Sequence, residues 1–362
     1  MELLFINKVR RALLRKTDAI LGRLYPLQKT LDAMALRPFE LHFELTNLCN
    51  AKCVFCPYQF QTRPIEFMSD RIFEKSLGDF AAMGGGSVGL TPIVGEALID
   101  PHFVERVKRL RSIPQIDRIW VITNAILLDQ HGIENILNSG LTKITISTAG
   151  FDEAMYQRVY RSSAYQRMKN NVTELIERNA RRPEPLPITL ALRPDRPLHE
   201  VMRDPDFQPI LAYNPELDFT WSYTSAGGRI TREALPKQMK LRVVTSRRET
   251  CVNLYNGPII LPNGTVMGCS CVAAMDAVAD LGIGNVMKTN LLEIWQSEQL
   301  KQLRASFGTG SLNKTCAGCD MYRNLELYRT SEGRERARIN HIRSEGQLVR
   351  RTRQPNIPFG GG

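Results

Sequence analysis

The stretch 44-ELTNLCNAKCVFCPY-58 sets Cys49, Cys53 and Cys56 in a C-x3-C-x2-C pattern just after the apolar run 41-LHFELT-46. Eight cysteines scattered at random through the 362 positions give such a triple only about 0.004 times, so chance is a poor explanation. Two arrangements use cysteines this densely, a disulfide framework and a metal site. Because the run before it reads as a strand, the triple lies on a βα loop. In a barrel of βα units that loop belongs to the C-terminal face, where catalytic groups gather.

Outward from this loop the same texture repeats. Runs rich in β-branched or apolar residues recur at 41–46, 87–92 (SVGLTP), 118–124 (RIWVITN), 143–148 (KITIST), 187–192 (PITLAL) and 217–223 (LDFTWSY). Helical patterns lie between most of them. Ser69 suits an N-cap, Asp100 with Pro101 a cap and first-turn proline, and Asp129 the opening of a helix that stops at Gly140. A long helix is expected after Ser163. Six strands alternating with helices predict an α/β fold with a parallel sheet, and six βα units can curl into a partial TIM-like barrel. Residues 240–325 differ: 257-GPIILPNGTVMGCSC-271 reads as a β-hairpin turning at Pro262–Asn263–Gly264, followed by a helix and then 316-CAGC-319.

Composition bounds the setting. At 43% hydrophobic and 23% charged residues, the chain has the make-up of a soluble globular protein. No window offers the ~20 uninterrupted apolar residues of a membrane helix. The amino terminus, with Glu2 and no small-residue cleavage site, is a poor signal peptide. A cytoplasmic setting is therefore expected, where thiols stay reduced and disulfides are disfavoured. The net charge of +11 sits at the ends: residues 1–40 hold eight Lys/Arg against four Asp/Glu, and 323–353 hold nine Arg against four Glu. The middle is nearly neutral, so no nucleic-acid groove is expected. The amphipathic pattern over 3–36 predicts basic helices that pack on their own domain, with membrane contact a lesser option.

Thiolates suit zinc or iron–sulfur clusters. Three on one loop leave one iron of a four-iron cluster uncoordinated by protein, and no nearby histidine completes a zinc site. At these residues the sequence resembles the radical S-adenosylmethionine (SAM) enzymes over roughly 38–325. The resemblance implies that Cys49, Cys53 and Cys56 hold a [4Fe–4S] cluster whose fourth iron binds SAM. It also implies reductive cleavage of SAM to a 5′-deoxyadenosyl radical that takes hydrogen from a substrate, on a partial (β/α)6 barrel.

Other family landmarks have counterparts. The Gly-Gly-Glu turn after strand two, which holds the SAM amine, matches Gly95 and Glu96, with Val94 in place of the first glycine. Thr-Asn-Gly after strand three matches Thr123, Asn124 and Ala125; Asn124 either helps place SAM or caps its loop. Ser147 matches the residue that bonds the ribose, or else faces a neighbouring strand. Arg161 stands where relatives place an arginine that reaches the SAM carboxylate. Arg193, at the end of the fifth run, points to the same mouth and is the candidate catalytic residue for contacting substrate or SAM, as a positioning group rather than a base.

Cys251, Gly264 and Cys269 form C-x12-G-x4-C, which resembles the opening of the SPASM/twitch extensions. A full extension needs more cysteines beyond Cys319, and none follow. The resemblance thus implies the shorter twitch form, with one auxiliary [4Fe–4S] cluster on Cys251, Cys269, Cys316 and Cys319. Cys271 is spare or replaces Cys269, and four-thiolate zinc is the competing occupant. The division expected is a basic helical segment (1–37), the barrel (38–235), the auxiliary domain (236–325) and a basic tail (326–362).

The ligand pattern is similar to that of a twitch alcohol dehydrogenase. A two-electron oxidation needs an acceptor for the second electron, and a fully ligated cluster can be that acceptor. The expected function is substrate oxidation with a flavodoxin- or ferredoxin-type reductant as partner. A peptide maturase is the alternative, disfavoured because only 40 residues precede the first strand where a recognition domain of about 80 is common. Readings of another class are a non-catalytic iron–sulfur carrier and a zinc scaffold. Specificity is expected from the βα loops and the connection 193–216, with Asp195, His199 and Asp206 as candidates.

Overall fold

A computed structural model describes residues 27–91, 93–244, 249–269, 271 and 275–323. The expected helices before residue 27 and the tail from 326 lie outside the described residues. Six strands run parallel in chain order: β1 (Glu40–Phe43), β2 (Gly86–Gly89), β3 (Ile116–Thr123), β4 (Lys143–Thr148), β5 (Ile188–Leu192) and β6 (Glu216–Phe219). With the helices between them they build the partial (β/α)6 barrel that the sequence predicts. The last run divides: after Phe219 the chain leaves the sheet, and β7 (Ser222–Tyr223) pairs with β8 (Lys240–Leu241) in a separate ribbon.

The sheet continues into the C-terminal region. Strand β9 (Ile259–Ile260) lies parallel to the free edge of β1, and β10 (Thr265–Met267) and β11 (Gly282–Asn285) follow antiparallel. Gly264 makes the hairpin turn at φ +82°, as its position after Pro262–Asn263 suggests. Among the described residues the result is one nine-stranded sheet, ordered β11-β10-β9-β1-β2-β3-β4-β5-β6. The contact with β1 requires Gly257, where a Cβ would stand 1.9 Å from the Glu40 carbonyl oxygen.

Alternation along β1 sorts its side chains between two environments. Leu41, Phe43 and Leu45 face the helices, and Phe43 packs on Phe73 of α2 (Asp70–Ala82), which follows α1 (Leu27–Leu36). Ser69 caps α2 as expected, accepting from the Ile72 N–H. Two caps differ from expectation. Asp100 closes a turn by accepting from the His102 N–H, and α3 (Phe103–Arg111) begins only after it. Gly132, at φ +77°, splits the helix expected from Asp129 into Leu128–His131 and α4 (Ile133–Leu137). The long helix after Ser163 is α6 (Tyr165–Ala180), preceded by α5 (Glu153–Tyr160). A second core forms where α1 meets the C-terminal region, through Leu31, Met34, Leu254, Ile259 and Phe307. No helix among the described residues is long and apolar enough to cross a membrane.

The other face of β1, Glu40, His42 and Glu44, is buried and polar. At the barrel floor Glu40 accepts from Trp120 Nε1 at 2.8 Å and from the Ser87 hydroxyl at 3.2 Å. Lys143 and Thr189 both meet Glu216 beside them. Burial pushes the Glu40 carboxyl up to about 8 from 4.5, against the lowering influence of His42, Trp120 and Ser87.

Two outcomes are expected. Gly257→Ala should separate β9 from β1 and cost about 3 kcal/mol or more in thermal or denaturant unfolding, since neither clashing group is a flexible side chain. For Glu40 the folded state keeps a proton that the unfolded chain releases above its ordinary pKa. Its contribution is therefore complete below about 4.5 and is lost as pH rises through about 8. Glu40→Gln, which keeps the acceptor for Trp120, should flatten the fall in melting temperature between pH 5 and pH 8.5; an unchanged slope contradicts this assignment.

Candidate active site

The cysteine loop forms no strand and is held by side chains and by main-chain hydrogen bonds to its neighbours. Buried Glu44, the last inward residue after β1, accepts from Arg63 Nη1 at 2.7 Å through one oxygen. Through the other it accepts from the Ile93 and Val94 N–H groups. Asn47 bridges to the Pro64 carbonyl and the Glu66 N–H. The Lys52 and Val54 N–H groups donate to the Tyr160 and Val159 carbonyls at the end of α5. This fixes Cys53, which is buried, with Cys49 and Cys56 half-buried.

The turn after β2 docks directly on this loop. The Glu96 N–H donates to the Leu48 carbonyl, and a Cβ at Gly95 (φ +118°) would stand 2.6 Å from the Thr46 oxygen, so only glycine fits there. Val94, unexpected beside the family pattern, turns its side chain into the second core with Leu254 and Ile259. The turn keeps its shape because the Glu44 carboxylate anchors it. Glu96 is buried; its oxygens accept from the Leu98 and Asn124 N–H groups, and its charge bears on Cys49. Asn124 acts as a cap: Oδ1 accepts from the Ile126 N–H, while Nδ2 donates to Asn50 Oδ1 at 2.6 Å. Ala125 takes φ +64°, the left-handed conformation for which the family uses glycine.

On the opposite wall, Arg193 Nε donates to the Ser147 hydroxyl at 2.8 Å, and Ser147 also bonds the Tyr160 hydroxyl. The guanidinium lies 5.3 Å from the Phe55 ring centre, and Phe55 stacks on Tyr223. Burial tends to lower the Arg193 pKa, yet Tyr160, Tyr223, Asp218 and Cys53 around it raise it above its ordinary value. It stays a cation. Its positive charge in turn works against the burial that pushes the Cys53 and Cys56 thiols up. Alternation on β6 puts Asp218 and Thr220 on the same inner face, and the buried Thr220 hydroxyl has no hydrogen-bond partner among the described residues.

Arg161 is exposed at the rim, in a left-handed conformation ending α5, and donates to Gln59 just beyond Cys56. The specificity candidates of the 193–216 connection do not join the site. Asp195 pairs with Arg158 and Asp206 with Lys169 and Tyr165, while His199 is exposed beside Glu200. Phe55, Tyr160, Asp218, Thr220 and Tyr223 escaped the sequence reading. The alternating acids Glu40, Glu44, Glu216 and Asp218 at strand positions were the signal that could have shown a polar interior.

The second thiol group forms around the hairpin. Cys251, Cys269, Cys271 and Cys316 are buried and Cys319 half-buried. Burial, followed by the neighbouring Cys319 and Cys251, pushes Cys316 up to about 12. Cys269 and Cys271 lie 3.5 Å apart, sulfur to sulfur, too close for two corners of one cluster. Among the described residues no three Cys, His, Asp or Glu side chains converge on a single ion.

Comparison with known proteins agrees with this geometry. Residues 43–203 match the radical SAM superfamily, and 251–320 match an iron–sulfur cluster-binding domain. GTP 3′,8-cyclase of Vibrio cholerae serotype O1 is 24% identical over 150 residues, 40% of this chain and 44% of that one. The same enzyme of Psychromonas ingrahamii is 26% identical over 144 residues, 39% and 42% of the two chains. The match thus spans less than half the length of these relatives. Two solved structures share the fold. BtrN in complex with AdoMet and 2-DOIA covers 81% of this chain and 98% of its own, with 13% identity and a TM-score of 0.52. Streptococcus suis SuiB bound to the precursor peptide SuiA covers 84% and 76%, with 14% identity and a TM-score of 0.56. The cofactors that go with these two domains are SAM, a SAM-binding [4Fe–4S] cluster and auxiliary iron–sulfur chemistry. The chain belongs to the radical SAM superfamily and carries an iron–sulfur cluster-binding domain behind its barrel.

Proposed function

We propose that this radical SAM enzyme oxidises a polar small molecule, with Cys49, Cys53 and Cys56 holding the SAM-binding cluster and one auxiliary cluster of the twitch type accepting the second electron. When bound, the first cluster and SAM together supply a 5′-deoxyadenosyl radical that removes a hydrogen atom from the substrate. The observation that carries this reading is the polar inner wall beside the cysteine loop, where Arg193, Ser147, Tyr160, Asp218 and Thr220 meet.

Each group has a task there. Arg193 stays protonated, so it binds and orients oxygen-bearing groups and is no base. Ser147, itself bonded to the Tyr160 hydroxyl, accepts from its Nε. Asp218 is the carboxylate near the guanidinium, suited to take the hydroxyl proton when a carbinol becomes a carbonyl. Thr220 offers a hydroxyl with hydrogen-bonding capacity to spare. Glu96, with both oxygens on backbone N–H groups, has lone pairs left for the SAM amine. The auxiliary thiols belong to a region joined to the barrel through β9, which favours an electron acceptor near the substrate. An external flavodoxin- or ferredoxin-type protein is the reductant we expect for the first cluster.

Anaerobic reconstitution should give about eight irons per chain, and about four in either Cys53→Ala or Cys316→Ala. With reductant and SAM, 5′-deoxyadenosine should form in the wild type and in Cys316→Ala but vanish in Cys53→Ala. Zinc bound at the first trio, or iron without SAM cleavage, rejects the reading. Arg193→Lys retains charge but loses the Nε donor to Ser147 and the planar guanidinium, and should slow substrate turnover by about 100-fold. A variant as fast as wild type removes Arg193 from the site.

A further inference from the structure

Asp320 directly follows Cys319, one of the proposed auxiliary ligands. Its carboxylate reaches away from the thiols: Oδ1 accepts from the Thr224 hydroxyl and Oδ2 from the Ser225 N–H. One residue further on, the Met321 sulfur meets Arg242 Nη1, while the Arg242 N–H donates to the Tyr223 carbonyl. The loop after Cys319 therefore grips the β7–β8 ribbon at two points.

That ribbon carries Tyr223. Its hydroxyl donates to the Thr220 carbonyl at 2.6 Å, and its ring stacks on Phe55 with centroids 4.9 Å apart. Phe55 sits between Cys53 and Cys56 in the chain and lies under the Arg193 guanidinium. An unbroken series of short contacts thus runs from Cys319 through Asp320, Thr224, Tyr223 and Phe55 to the loop of the first cluster.

We propose that Asp320 is a positioning residue that couples the auxiliary cluster to SAM binding. Ligation of Cys319 fixes the Cys319–Met321 loop, Asp320 then holds Thr224, and Tyr223 keeps Phe55 and Arg193 in the arrangement that receives SAM. Packed cores switch between discrete arrangements rather than deforming smoothly, so a slack ribbon changes the wall as a unit. Coupling of this kind is reciprocal: bound SAM also helps the chain retain its auxiliary cluster.

The test needs no substrate and rests on the proposed function only for the identity of the two cluster sites. SAM affinity is measured by calorimetry on the anaerobically reconstituted chain, beside iron content. In Asp320→Asn the charge is lost, and with the amide oxygen on the Ser225 N–H the Thr224 hydroxyl must turn to accept from the amide N–H₂ and loses the acceptor for its own proton. This variant should keep about eight irons and bind SAM about fivefold or more weakly. Cys316→Ala, with the auxiliary cluster gone, should weaken SAM binding by a similar factor, and the double variant should add little more. Wild-type affinity in Asp320→Asn at full iron content overturns the proposal, as does full additivity in the double variant. If Asp320→Asn loses iron, Thr224→Val is judged by the same affinity criterion, since it leaves the carboxylate beside Cys319 in place. SAM binding without 5′-deoxyadenosine formation rejects the function above and leaves this coupling intact.

Discussion

One buried carboxylate holds three separate segments together at the mouth of this barrel. Glu44 meets the Arg63 guanidinium on one side and two backbone N–H groups of the β2 turn on the other. Burial raises its pKa, and the Arg63 contacts oppose that rise, followed by the Val94 and Ile93 N–H groups. The arrangement binds the cysteine loop to a turn that must present Gly95 and Glu96. Remove the acid and two backbone amides lose their acceptor while Arg63 keeps only Gln61, which is costly where the amides are buried.

The same economy governs the inner wall. An eight-stranded barrel fills its interior with branched apolar side chains, whereas this partial barrel lines its own with acids, hydroxyls and cations. The floor is closed by Glu40 with Trp120 and Ser87, and by Glu216 with Lys143 and Thr189. Towards the mouth the polar groups are less completely used, as the Thr220 hydroxyl shows.

Much of this was legible in the sequence because the signals were local. The run KITIST became β4 residue for residue, Ser69 capped its helix, and Gly264 turned the hairpin. Asn124 caps its loop, a role that its position allowed beside SAM placement. What escaped depended on distant partners. Nothing near Tyr223 announces Phe55, 168 positions earlier, and nothing near Asp218 announces Arg193, just past the end of the preceding strand. The run 217–223 read as one strand because its apolar content is continuous; the break after Phe219 is a tertiary decision, made by pairing with β8. Asp195 and Asp206 looked available because their cationic partners Arg158 and Lys169 belong to helices earlier in the chain.

Strand β1 finds one neighbour, β2, within 50 residues and the other, β9, more than 200 residues later. As the chain leaves the ribosome, the outer edge of β1 stays bare until Ile259 and Ile260 emerge. At ~5–20 residues per second that interval is on the order of ten seconds or more. An open parallel edge invites wrong pairing, so this protein should depend on chaperones while it is being made. A slower ribosome lengthens the hazard, and fragments that stop before the hairpin should be prone to aggregate.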